Sequence, residues 1–181
     1  MFKQIRQIFG IIFFLIIFLR INFYNVDFYE YRLYSHFLAV YIISDVTFKL
    51  DFIFHHLIFI ISYIFYNLYL FPLMINCGNS IKKETFLDWN KSFYYLEFST
   101  IFLNMMYLGY KNNIVKILFF LSFVYFRIFK FTYLTLSLNS INLINSLVKN
   151  NYIYNLIYFI IYFFVIINYY WLYLIVKKNL K

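Results

Sequence analysis

Long apolar runs without a formal charge narrow the possible folds of this chain more than any other feature. Ile8–Leu19, Phe52–Phe71 and Tyr152–Val176 contain no Asp, Glu, Lys or Arg. A helix needs about 20 predominantly apolar residues to cross a bilayer. In hydrocarbon every backbone group must find its partner within the protein, so such runs fold as helices. They are also too continuous for the in/out alternation of a membrane barrel. With 65% hydrophobic and 13% charged residues, the chain lacks the polar side chains to cover a water-exposed surface. The expected fold class is all-α, a polytopic transmembrane bundle of about six helices forming a single domain over residues 1–181.

The runs and their punctuation predict helices at Gln7–Tyr24, Leu33–Lys49, Phe52–Phe71, Ser92–Leu108, Ile114–Leu138 and Tyr152–Val176. The first two are short for a full crossing, which suggests tilt or a partly interfacial position. Asn76–Lys91, with Gly78, Lys82, Lys83, Glu84 and Asp88, is expected as a surface loop. Leu138–Asn151, punctuated by Asn and Ser, is expected as a loop or interfacial turn. The start resembles a signal peptide, but Arg20, Asn22 and Tyr24 follow where small residues at a cleavage site would stand. It is therefore expected to be a retained first helix. Cys77 is the single cysteine, which excludes an intramolecular disulfide framework.

Cations flank the runs. The termini and the second and fourth connections hold Lys3, Arg6, Lys49, Lys111, Lys116, Lys177, Lys178 and Lys181 against Asp51. The other side holds Arg20, Arg32, Lys82, Lys83, Lys91 and Lys149, offset by Asp27, Glu30, Glu84 and Asp88. The positive-inside rule then places both termini on the matrix or cytoplasmic side. A net charge of +9 distributed in this way points to anionic lipid headgroups, with no nucleic acid as partner. Trp89, Trp171 and Tyr173 are expected as interfacial anchors, and Lys82, Lys83 and Lys91 as solvated loop charges.

The choice of apolar residue carries a second signal. Phe (27) and Tyr (21) abound, Ala39 is the only alanine, and Gly, Pro, Ala and Arg together number nine. Lipid does not select against small residues, since they let helices approach closely. The residues favoured have A/T-rich codons, which suggests an A/T-saturated organelle genome of the ciliate mitochondrial type. A nuclear gene in an A/T-rich genome is the alternative.

Ionisable groups within such helices are costly and mark either partners or function. At 100° per residue, Asp51, His55, Ser62 and Tyr66 fall within about 60° of one another, with His56 beside them. Glu97, Thr100 and Asn104 form a second stripe. Arg127 sits near the middle of the fifth helix, with Lys130 on the same side and near enough to the end to snorkel. Asp45 and His36 point to opposite faces of the second helix. The expected polar core joins His55, His56, Glu97 and Arg127, with Asp45 as a second acid. Pairing Arg127 with Glu97 would relieve both desolvation costs. Such groups can fix helix register without chemistry, or serve as ligands or catalysts.

Three stretches share a pattern: Tyr41-Ile42-Ile43-Ser44-Asp45 followed by Asp51-Phe52-Ile53-Phe54-His55-His56-Leu57, Glu97-Phe98-Ser99-Thr100-Ile101-Phe102-Leu103-Asn104, and Phe126-Arg127-Ile128. Together they resemble the TLC-domain family of multi-helix membrane proteins, which includes the ceramide synthases and several lipid-homeostasis proteins. The family's hallmark is an Asp ahead of a His-His pair inside a helix. Its non-synthase branch adds Glu-x-Ser-Ser/Thr-x-Phe-x-Asn and a later intramembrane Arg. The resemblance covers roughly residues 41–130 and implies a TLC-like core over about 33–138. The interval from Asp45 to His55 is shorter than is usual in the family, and the polar motif that follows the His pair in ceramide synthases is absent.

Three functions follow as expectations. The first is an accessory, mainly structural and lipid-binding subunit of a respiratory-chain complex or supercomplex in the inner mitochondrial membrane. It has no catalytic activity of its own, and phospholipids (cardiolipin among the candidates) and other membrane subunits are its partners. The second, implied by the resemblance, is a lipid-modifying enzyme in which His55 or His56 acts as general base, Asp51 or Glu97 orients the imidazole and Arg127 holds an anionic group. The third is a haem b anchor, which would pair His36 with His55 or His56. Three His and one Cys without a ligand spacing give no metal site.

Overall fold

The apolar runs fold as helices in a computed structural model that describes residues 2–46, 53–75, 80–137, 141–142, 144–145 and 151–179. Among the described residues all regular structure is helical. Helix α1 spans Phe2–Phe23 and α2 spans Phe28–Val46. Helix α3 runs Ile53–Phe65 and continues through Tyr66–Leu70 into Phe71–Ile75. Helix α4 is Ser80–Tyr107. Helix α5 runs Asn113–Ser122 and continues through Phe123–Lys130 into Phe131–Leu136. Helix α6 is Asn151–Asn179.

Local chemistry sets the boundaries. Asp27 Oδ1 accepts from Glu30 N–H at 2.8 Å while Glu30 Oε2 accepts from Asp27 N–H at 3.4 Å, a reciprocal cap on α2. Arg20 at the end of α1 forks onto Glu30 Oε1 at 2.9 and 3.2 Å and ties the two helices together. Asp27→Ala should cost about 1 kcal/mol of unfolding free energy, readable as a lower thermal midpoint. Helix α4 ends at Gly109, whose φ of +105° strains any other residue, with Tyr110 N–H returning to Met105 O at 3.0 Å. Asn112 then caps α5 by accepting from Val115 N–H at 2.9 Å. Within α3, Pro72 has no N–H and its ring collides with the carbonyl one turn back in a regular helix. The preceding turn widens instead, with Phe71 N–H bonding Tyr66 O.

Several expectations need correction. The predicted surface loop Asn76–Lys91 is helical from Ser80 onward, and α4 begins there instead of at Ser92. Polarity does not stop a helix, and Lys82, Lys83 and Glu84 are strong helix formers with no Gly or Pro after them before Gly109. Trp89, expected as an interfacial anchor, is buried and packs its ring against Phe93 and Phe131. Lys91, expected on a loop, is half-buried on α4. In Leu138–Asn151, residues 141–142 and 144–145 are helical and Ile144 is buried.

Helix α4 is central. Asn22 near the end of α1 meets Tyr95 at the middle of α4, while Gly10 early in α1 meets Asn104 late in α4, so α1 and α4 are antiparallel. Tyr95–Lys130 and Ser99–Arg127 contacts set α5 antiparallel to α4, and Phe131–Phe164 with Arg127–Asn168 sets α6 antiparallel to α5. The start of α1 and the end of α6 therefore lie at the same end of the bundle. Aromatic rings fill the spaces that small residues occupy elsewhere. Phe18 stacks on Phe98 with centroids 4.0 Å apart, Tyr95 stacks on Phe126 at 5.1 Å, and Phe131 and Phe164 are fully enclosed.

Polar groups are buried within an apolar core while large apolar side chains cover much of the outside. Arg6, Gln7, Asn90, Glu97, Asn104, Arg127 and Asn168 are buried, whereas Ile12, Ile16, Leu121, Phe129, Phe159 and Ile166 are exposed. By length and composition, two described stretches qualify as bilayer-crossing helices, Gln4–Phe23 and Tyr152–Lys177. The other helices carry charges or wide turns along their length: Lys116, Arg127 and Lys130 in α5, and a polar first half in α4.

Candidate functional site

Arg127 is 4% exposed and Glu97 5%, so two ionisable groups lie where water does not reach. The expected pairing forms: Arg127 Nη2 donates to Glu97 Oε1 at 3.2 Å. Around it every strong acceptor is used. Arg127 Nε donates to Ser99 Oγ at 3.0 Å, and Nη2 also reaches Thr100 Oγ1 at 3.4 Å. Thr100 Oγ1 donates to Glu97 Oε2 at 2.7 Å, and Arg127 Nη1 donates to Asn168 Oδ1 at 3.5 Å. The guanidinium also lies 5.5 Å from the ring centroids of both Phe123 and Trp171. One cation, one anion, two hydroxyls and an amide thus join α4, α5 and α6.

The wide turns of Phe123–Lys130 place this cation. Phe131 N–H bonds both Ile128 O and Phe126 O, which departs from the regular one-turn spacing. Phe123, Arg127, Phe131 and Thr135 are all buried, four residues apart along this stretch, so the widening keeps them on one face. Lys130 stands with its Nζ 3.8 Å over the ring of Tyr95.

A second polar group lies nearer the termini. Asn104 Nδ2 donates to Tyr41 Oη at 2.9 Å, and Tyr41 Oη donates back to Asn104 Oδ1 at 3.3 Å. The Arg6 guanidinium lies 5.6 Å from the Tyr41 ring centroid, and Gln7 is 1% exposed beside it in sequence. Gly10 permits this packing. A Cβ there would stand 2.6 Å from Asn104 Nδ2 and 2.7 Å from Tyr41 Cε2.

Glu97 and Asn104, expected on one stripe, are both buried but serve different neighbours, α5 in one case and α2 in the other. All of Asp51, and the side chains of Asp45, His55 and His56, lie outside the described residues. His36 is exposed and shares a hydrogen bond with the Tyr63 hydroxyl. Among the described residues no three His, Cys, Asp or Glu side chains gather as metal ligands do. Sequence reasoning missed Arg6, Gln7, Gly10 and Asn168. Asn168 gave a signal, an amide near the middle of the uncharged run Tyr152–Val176. In this lock the Glu97 carboxylate is paired with Arg127, and the Ser99 and Thr100 hydroxyls donate to Leu96 O and Glu97 Oε2. The chain matches no protein-family model, no curated protein and no solved structure.

Proposed function

We propose that this chain is a multi-pass integral membrane protein acting as an accessory, mainly structural and lipid-binding subunit of a mitochondrial respiratory-chain complex. The observation that carries the reading is a wide exposed apolar surface over a buried ion pair: Arg127 and Glu97 meet inside while many Ile, Leu, Phe and Tyr side chains face outward. In water so much contiguous apolar surface would drive aggregation, whereas in lipid it is the solvated face. Buried Arg127 and Glu97 are spent on one another, which favours a scaffold over a catalyst.

Placement in the respiratory chain is supported by composition: the A/T-codon residue bias suits an organelle gene, and a chain with almost no water-soluble mass works through helix faces and lipids. In this reading the termini face the matrix and the TLC-like motif serves as a polar packing core. On native electrophoresis of gently solubilised membranes, the chain should migrate only within a large respiratory assembly. Migration as a free 22.5 kDa species would count against it.

A further inference from the structure

We propose that Lys91 and Lys130 hold the phosphate of an anionic phospholipid above the ring of Tyr95, in the half of the bundle away from the termini. The inference rests on the membrane reading and adds a defined headgroup site to it. Lys130 from α5 is half-buried with its Nζ 3.8 Å over the Tyr95 centroid and 5.9 Å from that of Phe126. A ring face attracts the charge but accepts no ordinary hydrogen bond, so three N–H donors still need oxygen. Lys91 stands one turn before Tyr95 on α4 and is also half-buried. The charges that act most on Lys130 are Lys91, which repels it, and Asp88, which attracts it.

Asp88 is exposed, and it sets one acid against two bases. The nearby Arg20–Glu30 pair is already neutral. Among the described residues no carboxylate reaches Lys91 or Lys130 within ion-pairing distance. Two like charges partly withdrawn from water attract an anion to their side of the helix pair.

Depth identifies the anion. Tyr95 Oη donates to Asn22 Oδ1 at 2.8 Å, and Asn22 immediately precedes Phe23, where the apolar stretch Gln4–Phe23 ends. Along α1, the lysines therefore stand at the level where the apolar stretch ends and headgroups would begin. Tyr125 and Phe129 are exposed on the same helix, on the side of Lys130 toward the termini, where acyl chains would lie. A phospholipid supplies both the phosphate and the chains, whereas free phosphate supplies only the first.

The test uses the full chain in detergent, titrated with phosphatidylglycerol, phosphatidylcholine or inorganic phosphate and read by native mass spectrometry and thermal shift. The wild type should prefer phosphatidylglycerol over phosphatidylcholine by roughly tenfold or more. Lys91→Gln with Lys130→Gln should reduce that preference to within about twofold at unchanged helicity, while Lys91→Arg with Lys130→Arg keeps it. Retained preference in the glutamine pair, or equal protection by inorganic phosphate, would overturn the site. Failure of the wild-type chain to float with liposomes at all would instead sink the membrane reading beneath it.

Discussion

Arg127→Leu should lower the unfolding free energy of the bundle by about 3–5 kcal/mol, because it leaves the Glu97 carboxylate buried without its cation. Glu97 is 5% exposed, and the partner left to it is the Thr100 hydroxyl, which donates at 2.7 Å. Removing both charges is a different experiment. Arg127→Leu with Glu97→Leu should recover most of the loss, since two apolar side chains then replace two desolvated ions. The pair should thus show a large coupling in a double-mutant cycle. Arg127→Lys should lie between these results: a single ammonium cannot reach Ser99, Glu97 and Asn168 together as the guanidinium fork does. Denaturant titration of the purified chain in mixed micelles reads all three. A loss below about 1 kcal/mol for Arg127→Leu would mean that the lock contributes no more than an exposed pair.

Gly10→Ala should destabilise by about 1–3 kcal/mol, although on an exposed helix the same change stabilises by about 1 kcal/mol. The sign is the point. The new methyl carbon would stand 2.6 Å from Asn104 Nδ2, 2.7 Å from Tyr41 Cε2 and 2.9 Å from Tyr41 Oη. Those side chains must move, and moving them breaks the double hydrogen bond between Tyr41 and Asn104. Asn104→Ala added to Gly10→Ala should restore part of the loss by removing the nearest atom. An increased melting temperature for Gly10→Ala alone would show that α1 does not approach α4 and α2 this closely.

The helical fold was legible because apolar runs of this length leave few alternatives, and five of the six helices start within about five residues of expectation. Glu97–Arg127 was legible for a related reason: a charge inside an apolar helix must find an opposite one, and few were on offer. The extended start of α4 was not legible, because a polar stretch was equated with a loop although its residues favour helix. Arg6 and Gln7 were hidden by position, since polar residues near a terminus are normally solvated; here both are buried, Arg6 over the ring of Tyr41. Gly10 was hidden because a close approach depends on which helices become neighbours. Asn168 was one amide in an asparagine-rich sequence, and only the contact with Arg127 singles it out.

The most direct test of the account is whether its exposed apolar surface meets water. In a Cys77→Ser background, Ile12→Cys, Leu121→Cys and Ile166→Cys place thiols at positions 53%, 58% and 67% exposed on three different helices. In intact membranes these thiols should remain unlabelled by a membrane-impermeant maleimide and react fully once the chain is denatured in detergent. Rapid labelling of all three in the intact membrane would mean that water surrounds this surface and would contradict the membrane reading.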